Sequence, residues 1–209
     1  MQKKVFIFDM DGVIFDTMPA ATEIFLANHP GVTIEQYRGL HTGNVREEAL
    51  KYKHLRVEWP KEVAEQRYAA YLAAKLKAAV FPGMLDLLQE LHGQGYTLVL
   101  NTNAYERNTL PLLEQADITH LFDFIAPAEV STSKVEKFKM IEEKYAVRSE
   151  EMLFVTDALG DVCEAEQAEV PTIAVAWGIH DESYFRREAH KNLVAIVHSV
   201  PELKSFLIA

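Results

Sequence analysis

The chain is poor in cysteine. Its 209 residues include one, Cys163, so no disulfide can close within the chain and a reducing compartment is expected. Cys163 sits among helix-forming residues and is expected to pack rather than react. Long apolar runs are also missing. None approaches the ~20 residues that cross a bilayer, so no membrane partner is expected. The first apolar run, Val5 to Phe8, is short and ends in aspartate, unlike a secretion signal; the expected location is cytoplasmic. Positive charge is scarce, with 21 Lys and Arg against 31 Asp and Glu and a net charge of −10. There is no basic patch, so nucleic acid is not an expected partner. Internal repeats and low-complexity segments are absent.

What remains is 49% hydrophobic, enough for a sizeable core. Val5 to Phe8 is unbroken by polar residues, as in a strand buried on both faces of a parallel sheet. Further apolar runs at Thr97 to Leu100, Phe122 to Ala126, Met152 to Val155, Thr172 to Ala176 and Leu193 to Val197 read as strands. Helical patterns separate them at Met84 to His92, Ala104 to Gln115, Lys134 to Tyr145 and Gly160 to Glu169. Alternation of this kind predicts an α/β fold, a parallel sheet with helices on both faces. Between Pro19 and Ala79 the pattern changes. Ala20 to Asn28, Val45 to His54 and the Ala-, Lys- and Glu-rich Lys61 to Ala79 read as helices, with Ile34 to Gly43 broken and polar. This stretch predicts a helical insertion after the first strand.

Chemistry collects at the strand ends. Val5–Phe8 runs into Asp9, Met10, Asp11 and Gly12. Two carboxylates this close repel each other unless compensated, and a hard divalent cation such as Mg²⁺ supplies the compensation. The alternative is an ordinary acidic turn. The second strand runs into Asn101, Thr102 and Asn103, placed to hold an anion at a helix start or simply to cap that helix. Lys134 opens the helix after the third strand, the end where the dipole disfavours cations; a nearby anion would explain it, and Lys137 is a rival for the same role. The fourth strand ends in Thr156, Asp157 and, shortly after, Asp161. Asp157 is the natural third acidic ligand for a metal beside Asp9 and Asp11, and Asp161 could orient the ligands. An acidic protein that takes a phosphate ester must neutralise it locally, by metal, lysine or helix N-termini.

Acid pair, hydroxyl, lysine and acid thus occur in order, each after an expected strand. In this the chain resembles the haloacid dehalogenase-like (HAD) hydrolase superfamily, in its phosphatase branch with a small helical cap. Residues Asp9 to Thr17 resemble the first family motif, Leu100 to Asn103 the second, Lys134 the third, and Thr156, Asp157 and Asp161 the fourth. Thr156 stands where many members have glycine.

The resemblance implies a Rossmann-like core over 1–16 and 81–209, and a cap over 17–80. It implies Mg²⁺-dependent hydrolysis of a small phosphomonoester, a small phosphorylated metabolite, with phosphoglycolate as one candidate. Asp9 would be the nucleophile and Asp11 the general acid and base. Thr102, Asn103 and Lys134 would bind phosphate. Asp9, the Asp11 backbone carbonyl and Asp157 would hold metal. Arg46, His41 and Arg38, in a segment like the family's specificity loop, would face the rest of the substrate. Asp11 favours phosphate esters over haloacids, whose dehalogenases lack that carboxylate. A β-phosphoglucomutase-like phosphomutase shares these core motifs. A phosphoryl-accepting receiver module is the reading from a different class, opposed by the length and the helical insertion.

Overall fold

The computed structural model of the chain describes residues 4–208. Positions 1–3 and 209, the outermost residues of the expected core, lie outside the described residues. The first strand, β1 (Val5–Phe8), is buried throughout. Its side chains alternate faces, as strand geometry requires. Phe6 and Phe8 join one apolar cluster with Leu98, Leu100, Leu153 and Val155. Val5 and Ile7 join another with Val99, Phe154 and Phe138. A strand apolar on both faces thus separates two cores, and its sequence alternates nothing because both sides are covered.

After β1 come α1 (Met18–Asn28), α2 (Ile34–Leu40), α3 (Val45–Ala49), a 3₁₀ turn (Leu50–Leu55) and α4 (Lys61–Lys75). The chain then returns through α5 (Met84–Gly93) and β2 (Thr97–Asn101), α6 (Glu106–Gln115) and β3 (Phe124–Ala126), and α7 (Lys134–Tyr145) and β4 (Met152–Thr156). It ends in α8 (Leu159–Gln167), β5 (Thr172–Val175), α9 (Glu182–Phe185), β6 (Leu193–Val197) and α10 (Val200–Leu207). The six strands form one sheet in the order β3-β2-β1-β4-β5-β6, and every pair is parallel. β1 is central, and the order reverses across it. That switch point is where open α/β sheets bind ligands, beyond the carboxyl ends of the strands.

Two expectations change. Ile34–Leu40, read as broken and polar, is the helix α2. Its start is a capping box: the Thr33 hydroxyl accepts from the Gln36 amide and the Gln36 side chain accepts from the Thr33 amide, which offsets the glycine inside it. The expected helix Val45–His54 is α-helical only to Ala49, and its last turn is 3₁₀. The helices between β1 and α5 leave and rejoin the sheet through two adjacent segments. Asp16 N–H donates to Ala79 O at 2.9 Å and Phe81 N–H to Ile14 O at 2.9 Å, while Phe15 and Val80 pair antiparallel.

Candidate active site

Asp9 is the first residue past β1 and is almost wholly buried. Its Oδ1 accepts from the Met10 amide at 2.7 Å. Its Oδ2 faces the Lys134 ammonium at 3.1 Å. Burial pushes the Asp9 carboxyl up to about 7, against the pull of Lys134 and with help from the nearby Asp161 and Asp11 charges. Lys134 opens α7 yet is buried. It reaches back to donate to Asn101 O at 3.0 Å and to Asp161 at 2.9 Å. Burial works to lower its pKa; Asp161 and Asp9 outweigh that and hold it above the ordinary lysine range.

Lys134 and Lys137 have different partners. Lys137 lies one turn further along α7 and donates to Thr102 O at 2.7 Å, Ala126 O at 3.1 Å and Asn103 Oδ1 at 3.4 Å. It ties the ends of β2 and β3 together, and it is Lys134 that meets Asp9. Burial and the Lys134 charge bring Lys137 down to about 7.

Asp11 points elsewhere. Its Oδ1 accepts from the Thr17 hydroxyl at 2.5 Å, and both its oxygens meet the Lys75 ammonium, at 2.7 and 3.0 Å. Thr17 stands at the N-cap of α1, but its side chain makes no capping bond; the hydroxyl serves Asp11 instead. Lys75, the last residue of α4, is buried. Thr17 closes the first motif without a role of its own in the sequence reading, and Lys75 does not stand out at all. Lys75 lies 64 positions from its partner inside a run of helix formers, so nothing local marks it.

Asp157 closes the group from β4. Its Oδ2 accepts from the Ile179 amide at 2.7 Å. Burial and the Asp9 charge raise its carboxyl well above the ordinary range. It is packed against two glycines. A Cβ on Gly12 would stand 2.0 Å from Asp157 Oδ2, and one on Gly178 would stand 2.3 Å from it. Gly12 also has a positive φ of 78°, which only glycine adopts without cost. Asp161 accepts from the Thr156 hydroxyl at 2.6 Å. Although burial works against it, the Lys134 charge and this hydroxyl hold its carboxyl below the usual range.

The donor set fits Mg²⁺. Among the described residues no cluster of three His, Cys, Asp or Glu side chains stands ready for a metal. Mg²⁺ does not need one, because it keeps several waters and uses one or two carboxylates. Asp9 and Asp157 are two buried carboxyls, and the Asp9 charge raises Asp157. Asp157 is packed against Gly12, the residue that follows Asp11.

Asp9, Asp11, Lys134, Asp157 and Asp161 line one cavity of about 270 Å³, together with Thr102, Asn103 and, from the segment after β1, Tyr37, His41, Tyr71 and Lys75. Of the expected specificity residues, only His41 lines it. Arg46 donates to Asn103 O at 3.1 Å and to the Tyr105 hydroxyl at 3.0 Å and lies over the Tyr105 ring. Arg38 donates to Ile179 O at 2.9 Å and sits 3.7 Å from Asp181. Cys163 is half-buried on α8.

His180 joins the inserted helices to the core. It is fully buried; its Nδ1 accepts from the Leu159 amide at 2.9 Å and its Nε2 lies 3.0 Å from Arg38 O, to which it donates. Burial lowers its pKa to about 4. The unfolded chain therefore takes up the proton first on acidification, so this stability is complete above about pH 6.5 and is lost as pH falls toward 4. Between pH 7 and 5 the His180→Gln variant is expected to lose about 2 kcal/mol less stability than the wild type, read by chemical denaturation. Equal losses would show that the ring is not held neutral.

The sequence profile of the haloacid dehalogenase-like hydrolase family matches residues 6–175. The chain is 28% identical to a phosphoglycolate phosphatase of Aliivibrio fischeri, over 84% of this chain and 85% of that one. It is 26% identical to a phosphoglycolate phosphatase of Mesorhizobium japonicum, over 87% and 86%. A haloacid dehalogenase-like family hydrolase from Streptococcus pneumoniae superposes with a TM-score of 0.75 at 18% identity, covering 98% of each chain. With a profile that runs from within β1 to the end of β5, and with this sheet order, the chain belongs to the haloacid dehalogenase-like hydrolase family.

Proposed function

We propose that the chain is a Mg²⁺-dependent phosphatase of small phosphomonoesters that works through an aspartyl-phosphate. Membership of a hydrolase family and phosphatase names among relatives along most of the chain support the reaction class. The observation that carries the mechanism is the division between two carboxylates two residues apart. Asp9 faces Lys134, and Asp11 is turned to Thr17 and Lys75. The two acids thus have separate partners, and it is the family resemblance that gives Asp9 the nucleophile's part and Asp11 the acid's.

Asp9 attacks phosphorus as the ester P–O bond breaks, and the phosphoryl group passes to its carboxylate. Asp11 gives its proton to the departing alkoxide, then takes one from the water that attacks phosphorus and frees Asp9. Thr102 and the amides around it receive phosphate oxygens at the β2 end. Lys134 offsets charge that develops on the phosphoryl group. When bound, Mg²⁺ would be held by Asp9, Asp157 and the Asp11 carbonyl and would supply charge neutralisation. Thr17 and Lys75 keep Asp11 in place, so the acid is anchored to residues 17–80. We assign this segment as a cap that closes the site and excludes water, moving on the paired linkers near 14–17 and 79–81.

Chelation of metal is expected to abolish phosphate release and added Mg²⁺ to restore it. Asp157→Asn is expected to raise the Mg²⁺ concentration for half-activity by about 10- to 100-fold. Full activity in chelator would sink the metal's part in this reading.

A further inference from the structure

The cavity contains few charges that a substrate could use. Its cations are Lys75 and Lys134, and five carboxyl groups line it as well: Asp9, Asp11, Asp157, Asp161 and Glu164. Both cations are already paired. Lys75 meets both oxygens of Asp11, and Lys134 is shared between Asp9 and Asp161. Arg46 and Arg38, the arginines that a second acidic group would seek, are not among the lining residues: Arg46 is held at the rim by Asn103 O and the Tyr105 hydroxyl, and Arg38 by Ile179 O and Asp181.

The rest of the lining is neutral. Tyr71, Tyr105 and Asn108 stand with His41 beside Met18 and Val45. Asn108 receives the Tyr68 hydroxyl on its Oδ1, which leaves its amide N–H groups for a ligand. Tyr105 accepts from Arg46, which leaves its own O–H to donate. His41 is held neutral, lowered to about 4 chiefly by burial.

A substrate brings a phosphate dianion into this setting. Mg²⁺ and Lys134 can offset that charge. A second anion on the same substrate would be buried among carboxylates with no unpaired cation in the lining, which is costly. Hydroxyl groups would meet donors and acceptors already in place. The volume, about 270 Å³, lies below the roughly 300–1,000 Å³ of pockets for drug-sized ligands, so the organic part is small.

We infer that the site selects phosphomonoesters whose organic part is a short, neutral, hydroxylated chain, and discriminates against those that carry a carboxylate. The inference rests on the phosphatase reading above and narrows it. It runs against the phosphoglycolate candidate, although relatives carry that name.

Matched substrates test it. Each pair differs only in a terminal carboxylate against a hydroxymethyl group: phosphoglycolate against 2-hydroxyethyl phosphate, and 3-phosphoglycerate against glycerol 1-phosphate. For the wild-type protein with Mg²⁺, kcat/KM is expected to be at least 10-fold higher for the neutral member, mainly through KM. Ala21→Arg, which adds a cation to the α1 side of the cavity, is expected to shift that ratio at least 10-fold toward the carboxylates. Equal turnover within each pair, or a preference for the carboxylate, would overturn the inference and leave the phosphatase reading standing. No release from any ester, with no labelling of Asp9 by acetyl phosphate, would overturn both.

Discussion

Asp9→Asn is expected to lower Mg²⁺-dependent phosphate release by about 10⁴-fold or more, because removing a covalent nucleophile cancels both half-reactions together. The asparagine is isosteric, and Lys134 keeps Asn101 O and Asp161 as partners, so the fold should stand. Two further readings separate loss of the nucleophile from loss of structure. Acetyl phosphate should label the wild type and leave the variant unlabelled. Stability should move the other way from activity. The Asp9 carboxyl titrates at about 7 in the fold, against 3.8 for an ordinary aspartate. The folded state therefore holds an extra proton between those values, and stability falls as pH rises from about 4 through 7. Asparagine does not titrate and escapes that loss, so without metal the variant is expected to be more stable than the wild type at pH 8. A variant that is both inactive and unfolded would leave Asp9 a structural residue.

That tension between activity and stability is why the site is legible in the sequence. Carboxylates just past two apolar strands, most of them buried, oppose every tendency of an apolar core, so Asp9, Asp11, Asp157 and Asp161 stand out against Val5–Phe8 and Met152–Val155. Their convergence on one cavity comes from topology: in a parallel sheet all carboxyl ends share an edge. Lys134 is legible for the same reason, as a cation at the wrong end of a helix.

The less legible residues depend on tertiary contact or on weak local signals. Lys75 and Thr17 act only because α4 and the start of α1 pack over the strand ends. Arg46 and Arg38 are expected to face the substrate, and packing engages them with Asn103, Tyr105 and Ile179. Two helices are also absent from the sequence reading. α9 has four residues, too few for any period. α10 has readable punctuation, since Ser199 caps it through the Glu202 amide and Pro201 sits in its first turn, the residues that favour a helix start. The apolar run of β6, Leu193–Val197, ends just before this cap and dominates the local pattern.

Lys134→Met carries the second large effect, and it combines catalysis with stability. Its ammonium is the only one within ion-pair distance of Asp9 and Asp161 among the described residues. Methionine fills a similar volume without the charge, so packing against Phe154, over which the ammonium lies, is largely kept. Removing one partner of a buried ion pair costs about 3–5 kcal/mol. Activity is expected to fall by about 10²- to 10³-fold, the usual loss when a charge-stabilising donor is removed. The pH dependence identifies the cause. With Lys134 gone, the Asp9 and Asp161 carboxyls share one negative charge and retain a proton to higher pH than in the unfolded chain. Stability then falls as pH rises from about 4 toward neutrality, so the deficit against wild type should be smaller at pH 5 than at pH 8. Adding Asp161→Asn to Lys134→Met should recover part of the lost stability, because it removes one of the two stranded carboxylates, and should recover none of the activity. A deficit that is the same at both pH values, with no rescue by the second substitution, would mean that the lysine contributes packing rather than charge.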